Sequence, residues 1–142
     1  MTEEFGYWFS GFVDGEGCFY MTVYARDKWP TCRFTINMRA DDRSILEECQ
    51  RQLGLGQIHD RKATGKANPQ ACLRVQRKME VYQLLGVFDR YPLRSRKKFD
   101  YQIWKEGVLA WMNLGRGSKD WSSMQDARVR LVANRVYADT KR

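Results

Sequence analysis

The sequence has a single histidine, His59, and four scattered cysteines, Cys18, Cys32, Cys49 and Cys72, with no C-x-x-C pair. Structural zinc normally shows close ligand pairs, and one imidazole cannot make good that lack, so a zinc module is excluded. Cys32 falls in an alternating apolar stretch and Cys49 at a helical core position, so both read as small buried hydrophobes with reduced thiols. No apolar run approaches the roughly 20 residues that span a bilayer. The N-terminus opens on Thr2, Glu3 and Glu4, without the basic-then-apolar pattern of a secretory signal. The expected address is bacterial cytoplasm or an organellar matrix, with no membrane partner and no secretion. An internal repeat is also lacking.

What the chain does have is positive charge. Lys and Arg number 25 against 17 Asp and Glu, a net charge of +8 with a pI near 9.5. The natural partner is a polyanion: nucleic acid, or less readily an anionic membrane surface. Hydrophobic residues make up 43% of 142 positions, which suits one globular domain with its own core, not a disordered chain.

Phe5, Trp8, Phe9, Phe12 and Val13 recur at helical spacing, and Gly15-Glu16-Gly17 is expected to end that helix with a sharp turn. Cys18 to Asp27 is rich in aromatic and β-branched residues and reads as a strand. Lys28-Trp29-Pro30 turns the chain, and Thr31 to Arg39 alternates again. Asp41 or Asp42 is placed to cap a second helix carrying Ile45, Leu46, Cys49 and Leu53, which stops at Gly54. A second hairpin follows, Gly56 to Lys62 and Ala71 to Gln76. Helix three holds Val81, Leu84, Leu85 and Phe88 and ends before Pro92. Helix four begins near Ser95 and carries Phe99, Ile103, Trp104, Val108 and Trp111. A basic last helix runs from Ser122 to the end. The order is α-β-β-α-β-β-α plus C-terminal helices: an α+β domain over 1–142, core about 5–112, tail about 113–142. Its antiparallel sheet would be packed with helices on one face and open on the other.

Period two assigns the open face. It would carry Tyr20, Thr22, Tyr24 and Arg26 from strand one, and Thr31, Arg33, Thr35 and Asn37 from strand two, with Lys28 in the intervening turn. His59 and Arg61 come from strand three, Arg74 and Gln76 from strand four. No acid is among them, though the chain has many elsewhere. Arg, Asn, Gln, Thr and Tyr hydrogen-bond base edges and phosphates, so this face is a candidate surface for double-stranded DNA.

The run Phe9-Ser10-Gly11-Phe12-Val13-Asp14-Gly15-Glu16-Gly17 closely resembles the motif that names the LAGLIDADG homing endonucleases. Two more landmarks follow in order. One is Phe34-x-Ile36-x-x-Arg39-x-Asp41-Asp42, before a helix ending in Gly54-Leu55-Gly56-Gln57-Ile58. The other is Tyr91-Pro92-Leu93-Arg94-Ser95-Arg96-Lys97-Lys98-x-Asp100-Tyr101. The resemblance implies the αββαββα fold with a saddle-shaped sheet astride DNA. A single motif per chain implies a homodimer with the two motif helices packed at the two-fold axis, where Ser10 and Gly11 allow close approach and Asp14 lies at the helix end.

The same resemblance implies phosphodiester hydrolysis, giving a staggered double-strand cut in a long pseudo-palindromic site, with no small-molecule substrate. Glu16 is the expected acid and metal ligand, assisted by the Gly15 carbonyl. Oxygen-only donors suit Mg²⁺, with Mn²⁺ as another divalent cation or Ca²⁺ as a non-catalytic substitute. The family's basic residue near the scissile phosphate falls on Arg96 or Lys98. Where some relatives hold a water-positioning glutamine, this chain has Met38, with Asn37 or Arg39 as possible substitutes. The rival expectation is a non-cleaving member of the fold, an intron maturase or a regulator. Retention of Glu16 speaks for cleavage.

Overall fold

A computed structural model describes residues 1–23 and 29–136. The first helix, α1 (Glu3–Glu16), starts where the Thr2 hydroxyl accepts a hydrogen bond from the Phe5 amide at 3.2 Å, with Glu3 and Glu4 in its first turn. Both features satisfy the positive end of a helix. The helix runs through Gly15 to Glu16, and Gly17 enters the next element with extended backbone at φ −75°. The expected sharp glycine turn is therefore not what this segment uses. Gly17 is needed for room, because a Cβ there would lie 2.5 Å from Val13 Cγ1.

Strands β1 (Gly17–Thr22) and β2 (Thr31–Arg39) pair antiparallel, Tyr20 opposite Arg33. A 3₁₀ turn at Ala40–Asp42 leads to α2 (Arg43–Leu53). Neither aspartate makes a side-chain cap. Asp41 instead pairs with Arg39 at 2.7 Å, and Asp42 holds the cap position without a side-chain hydrogen bond. The helix does stop at Gly54, whose φ of 65° is left-handed backbone that glycine adopts without strain. Strands β3 (Gln57–Arg61) and β4 (Gln70–Val75) follow, then α3 (Lys78–Arg90), α4 (Lys97–Met112) and α5 (Ser122–Arg135). Helix α4 thus starts two residues later than Ser95. The sheet order is β1-β2-β4-β3, every pair antiparallel.

The core lies between the helices and one sheet face. Phe9, Val13, Phe19, Phe34, Ile36, Leu73, Leu84, Phe88 and Trp104 are buried there. Their rings form a continuous cluster, Phe9 stacked on Phe88 at 5.8 Å and Phe19 tilted on Trp104 at 5.0 Å. Each such side chain contributes on the order of 1.5–3 kcal/mol through removal from water. Cys32 and Cys49 are buried as expected, and burial pushes both thiols up to about 12. The outer edge of β1 is covered: Trp104 Nε1 donates to the Tyr20 carbonyl at 3.0 Å, and Arg135 donates to the Phe19 carbonyl.

Two sequence expectations about packing change. Trp8 shares the helical periodicity of α1 but does not join Phe5, Phe9 and Val13 inside, and Phe12 packs against the core only in part. Trp8 is 42% exposed and Phe12 half-buried, the two rings stacked at 5.1 Å on the outer side. On α4, Phe99 is exposed, and Tyr101 takes its place in the core. No helix among the described residues is long and apolar enough to cross a membrane.

Candidate nucleic-acid interface and active site

The open face of the sheet carries Tyr20, Thr22, Thr31, Arg33, Thr35, Asn37, His59, Arg61 and Arg74, all exposed or half-buried, while their strand neighbours point into the core. Gln76 is exposed just beyond the end of β4. Tyr24, Arg26 and Lys28 lie outside the described residues. The strand register adds Cys18, Arg39, Gln57, Gln70 and Cys72 to this face, beyond the residues expected from sequence. The one acid of β3, Asp60, turns to the helix side and pairs with Arg43 at 3.1 Å. The open face is therefore free of carboxylates among the described strand residues.

Its arginines are not loose. The Arg33 guanidinium lies 4.6 Å from the centroid of the Tyr20 ring, a cation–π contact that holds the fork in one orientation. Arg61 donates to Gln70 across the β3–β4 ladder. Arg33 Nε and Arg74 Nε are buried with no hydrogen-bond partner, so the outward ends of these two forks are what a ligand would meet. Met38 is on the opposite, core-facing side. It cannot reach a ligand on the open face, whereas Asn37 and Arg39 beside it can.

A second constellation forms where α1 meets the approach to α4. Asp14 accepts from the Arg94 amide at 3.0 Å, the Ser95 amide at 3.1 Å and the Ser95 hydroxyl at 2.7 Å. Burial alone would raise its pKa, but these hydrogen bonds and the nearby Lys97 charge win and hold it below the usual carboxylate value. Its oxygens are thus spent inside the chain, which suits a structural role at the helix end and not a docking surface. Ser10 is likewise turned inward, buried, with its hydroxyl donating to the Tyr91 carbonyl. Gly11 alone of the expected small pair lies on the exposed side of α1, with open space where a Cβ would stand.

Glu16 is exposed at the last position of α1, and no hydrogen bond or ion pair among the described residues engages it. A carboxylate there faces the negative end of the helix dipole, a placement that costs energy unless a cation joins it. Lys97, between the two basic residues expected from sequence, brings an ammonium to this end of α1. Lys97 Nζ donates to the Val13 carbonyl at 3.0 Å and lies 3.4 Å from the Gly15 carbonyl. Burial lowers its pKa, opposed by the charges around it, the Asp14, Asp100 and Glu16 carboxylates among them. Arg96 is exposed before the helix, and Lys98 sits 5.1 Å from the Phe99 ring centroid. Among the described residues no group of three or more His, Cys, Asp or Glu is gathered to hold a metal. Among the described residues, one copy of this arrangement supplies one carboxylate without a partner, Glu16.

Among the described residues, a helix ends in an acid without a partner beside an antiparallel sheet whose open face is basic and carries no acid, an arrangement for meeting a polyanion. Residues 9–108 match the model of the LAGLIDADG endonuclease family, and the chain belongs to that family. It is 26% identical over 141 residues to "Probable intron-encoded endonuclease Cox1-I1b" of Schizosaccharomyces pombe, covering 95% of this chain and 35% of that protein. It is 32% identical to the LAGLIDADG meganuclease I-AabMI, solved bound to uncleaved DNA, over 76% of this chain and 37% of that one, with a TM-score of 0.67. The archaeal intron-encoded homing endonuclease I-Vdi141I, solved with DNA, shares the fold at a TM-score of 0.78 and 20% identity, covering 94% of this chain and 86% of that one. The chain spans 17–35% of the length of four curated relatives it matches.

Proposed function

We propose that this chain is a sequence-specific DNA endonuclease acting as a homodimer, with Glu16 of each copy as the essential acid for one strand. The observation that carries this reading is the Glu16 carboxylate at the α1 terminus, which has no partner among the described residues, near Lys97 and a basic sheet face that carries no carboxylate among those residues. The sheet would lie in the major groove, Arg33 and Arg74 offering forks suited to guanine and Asn37 and Gln76 suited to adenine. Tyr20, Thr22, Thr31, Thr35, His59 and Arg61 complete the contact surface. The remaining candidates, Tyr24, Arg26 and Lys28, stay part of it on sequence grounds.

The outer face of α1 supports the dimer. Tyr7 is 61% exposed and Trp8 42%, with Gly11 and Gly15 on the same exposed side and no Cβ to hold a second helix away. Exposed aromatic rings beside small residues suit close helix packing, and it would bring a second Glu16 near the first. I-Vdi141I, of which this chain covers 86%, is a neighbour of similar length.

The donor set fits a hard divalent ion: the Glu16 carboxylate and the Gly15 carbonyl are oxygens, and one copy alone cannot complete the shell. These two groups would hold Mg²⁺, with the partner's carboxylate and DNA phosphates completing it. Bound there, the ion supplies water activation and charge relief at the phosphate. The chain's own contribution is placement. Asp14 fixes the approach to α4, and Lys97 stands as a cation at the end of α1, in reach of a phosphate that approaches Glu16. Arg96 and Lys98 serve the flanking backbone.

Incubation with Mg²⁺ and a randomised duplex library tests the reading. The expected product is a staggered double-strand cut with short 3′ overhangs at one long pseudo-palindromic sequence. Tight binding without cleavage at any sequence overturns the nuclease. Sedimentation of the DNA complex as one protein per duplex overturns the dimer.

A further inference from the structure

Lys97 owes its position to more than α1. One turn along α4, the Asp100 side chain is only 15% exposed. It accepts from Asn134 Nδ2 at 2.6 Å and from Arg135 Nε at 3.1 Å, both from the last turn of α5. The same Arg135 guanidinium donates to the Phe19 carbonyl of β1. Asp14 grips Arg94 and Ser95 on the other side of the helix start. Together with Arg96 and Lys97, these groups line an open cavity of about 470 Å³. The first turn of α4 is thus held from two directions, by α1 before Lys97 and by α5 after it.

We propose that Asp100, Asn134 and Arg135 are positioning residues for DNA cleavage: the last turn of α5 clamps the start of α4 against β1 and so fixes Lys97 beside Glu16. This rests on the nuclease reading above. Asp100 is a largely buried carboxylate whose charge-assisted bonds are strong and directional. Losing either donor removes one of the two bonds that hold this carboxylate, and water entering from the open cavity is a looser partner than the lost side chain, so the helix start is freer to shift. A displacement near 1 Å at a reacting group costs up to about 100-fold in rate. The tail helix therefore has a role in the chemistry that simple packing against α4 would not give it.

The test uses the full chain on a site that the wild type cleaves. Asn134→Ala and Arg135→Ala are expected to lower the single-turnover rate about 10- to 100-fold. Affinity for the same site in Ca²⁺ should stay within about twofold, because ground-state binding is not what the clamp supplies. In the metal-free protein the Lys97 backbone amide resonance should move in both variants, and Arg135→Lys should recover part of the rate. Should Arg135→Ala fail to fold, Asn134→Asp, which sets a like charge against Asp100, is read by the same three measurements. Unchanged rates, an unmoved Lys97 signal, or rate loss matched by equal loss of affinity and thermal stability would overturn the clamp. A wild type that binds but never cuts overturns the nuclease reading instead, and the clamp with it.

Discussion

The two faces of the one sheet obey the same alternation and carry opposite chemistry. Phe19, Phe34, Ile36, Leu73 and Val75 point inward and are fully buried, while Tyr20, Arg33, Thr35 and Arg74, one residue away in the same strands, meet solvent. Stability should reside on the first face and recognition on the second, with little cross-talk, since side chains of opposite pleat do not touch. What does connect them is backbone: the edge of β1, tied to α4 and α5 through the Tyr20 and Phe19 carbonyls.

This division can be broken from either side. The largest effect is expected inside: Phe34→Ala should cost about 3–5 kcal/mol by cavity formation, read as a melting temperature lower by roughly 10 °C or more. DNA preference at temperatures where the variant is folded should be unaltered. Arg74→Ala should cost about 1–3 kcal/mol of discrimination at one base-pair position per half-site, with unchanged melting. A selected-site profile unaltered at every position would contradict a reading role for this side chain. Tyr20→Ala removes the ring under Arg33 and should blunt preference at the Arg33 position by on the order of 0.5–1 kcal/mol. Smaller still is the pH effect of Asp14. Its depressed pKa means that its stabilisation is present above the usual carboxylate value of 3.8 and lost as pH falls through the lower folded value. Asp14→Asn should therefore be less stable than wild type at neutral pH, the gap closing in acid. A constant gap down the acid limb of a melting series would remove Asp14 from that linkage.

Much of this division is legible in the sequence, because period two separates the faces without knowledge of tertiary contacts. The order of elements follows from turn residues and apolar spacing, to within two residues for α4. The failures share a cause. Trp8 has core-like spacing, and periodicity cannot tell a core face from an exposed apolar one. That Lys97, between Arg96 and Lys98, is the side chain that reaches the end of α1 has no local signal, since the phase of α4 depends on the Asp14 anchor, 80 residues distant along the chain. Ser10 looks like an interface residue until Tyr91 supplies its partner. The α5 contacts to Asp100 and Phe19 leave no local signature at all.

In the proposed function, Glu16 carries cleavage without carrying recognition. On the site selected by the wild type, Glu16→Gln should bind in Ca²⁺ with affinity unchanged within about twofold, yet leave the duplex intact in Mg²⁺. Cutting by Glu16→Gln at the wild-type rate would contradict the assignment outright.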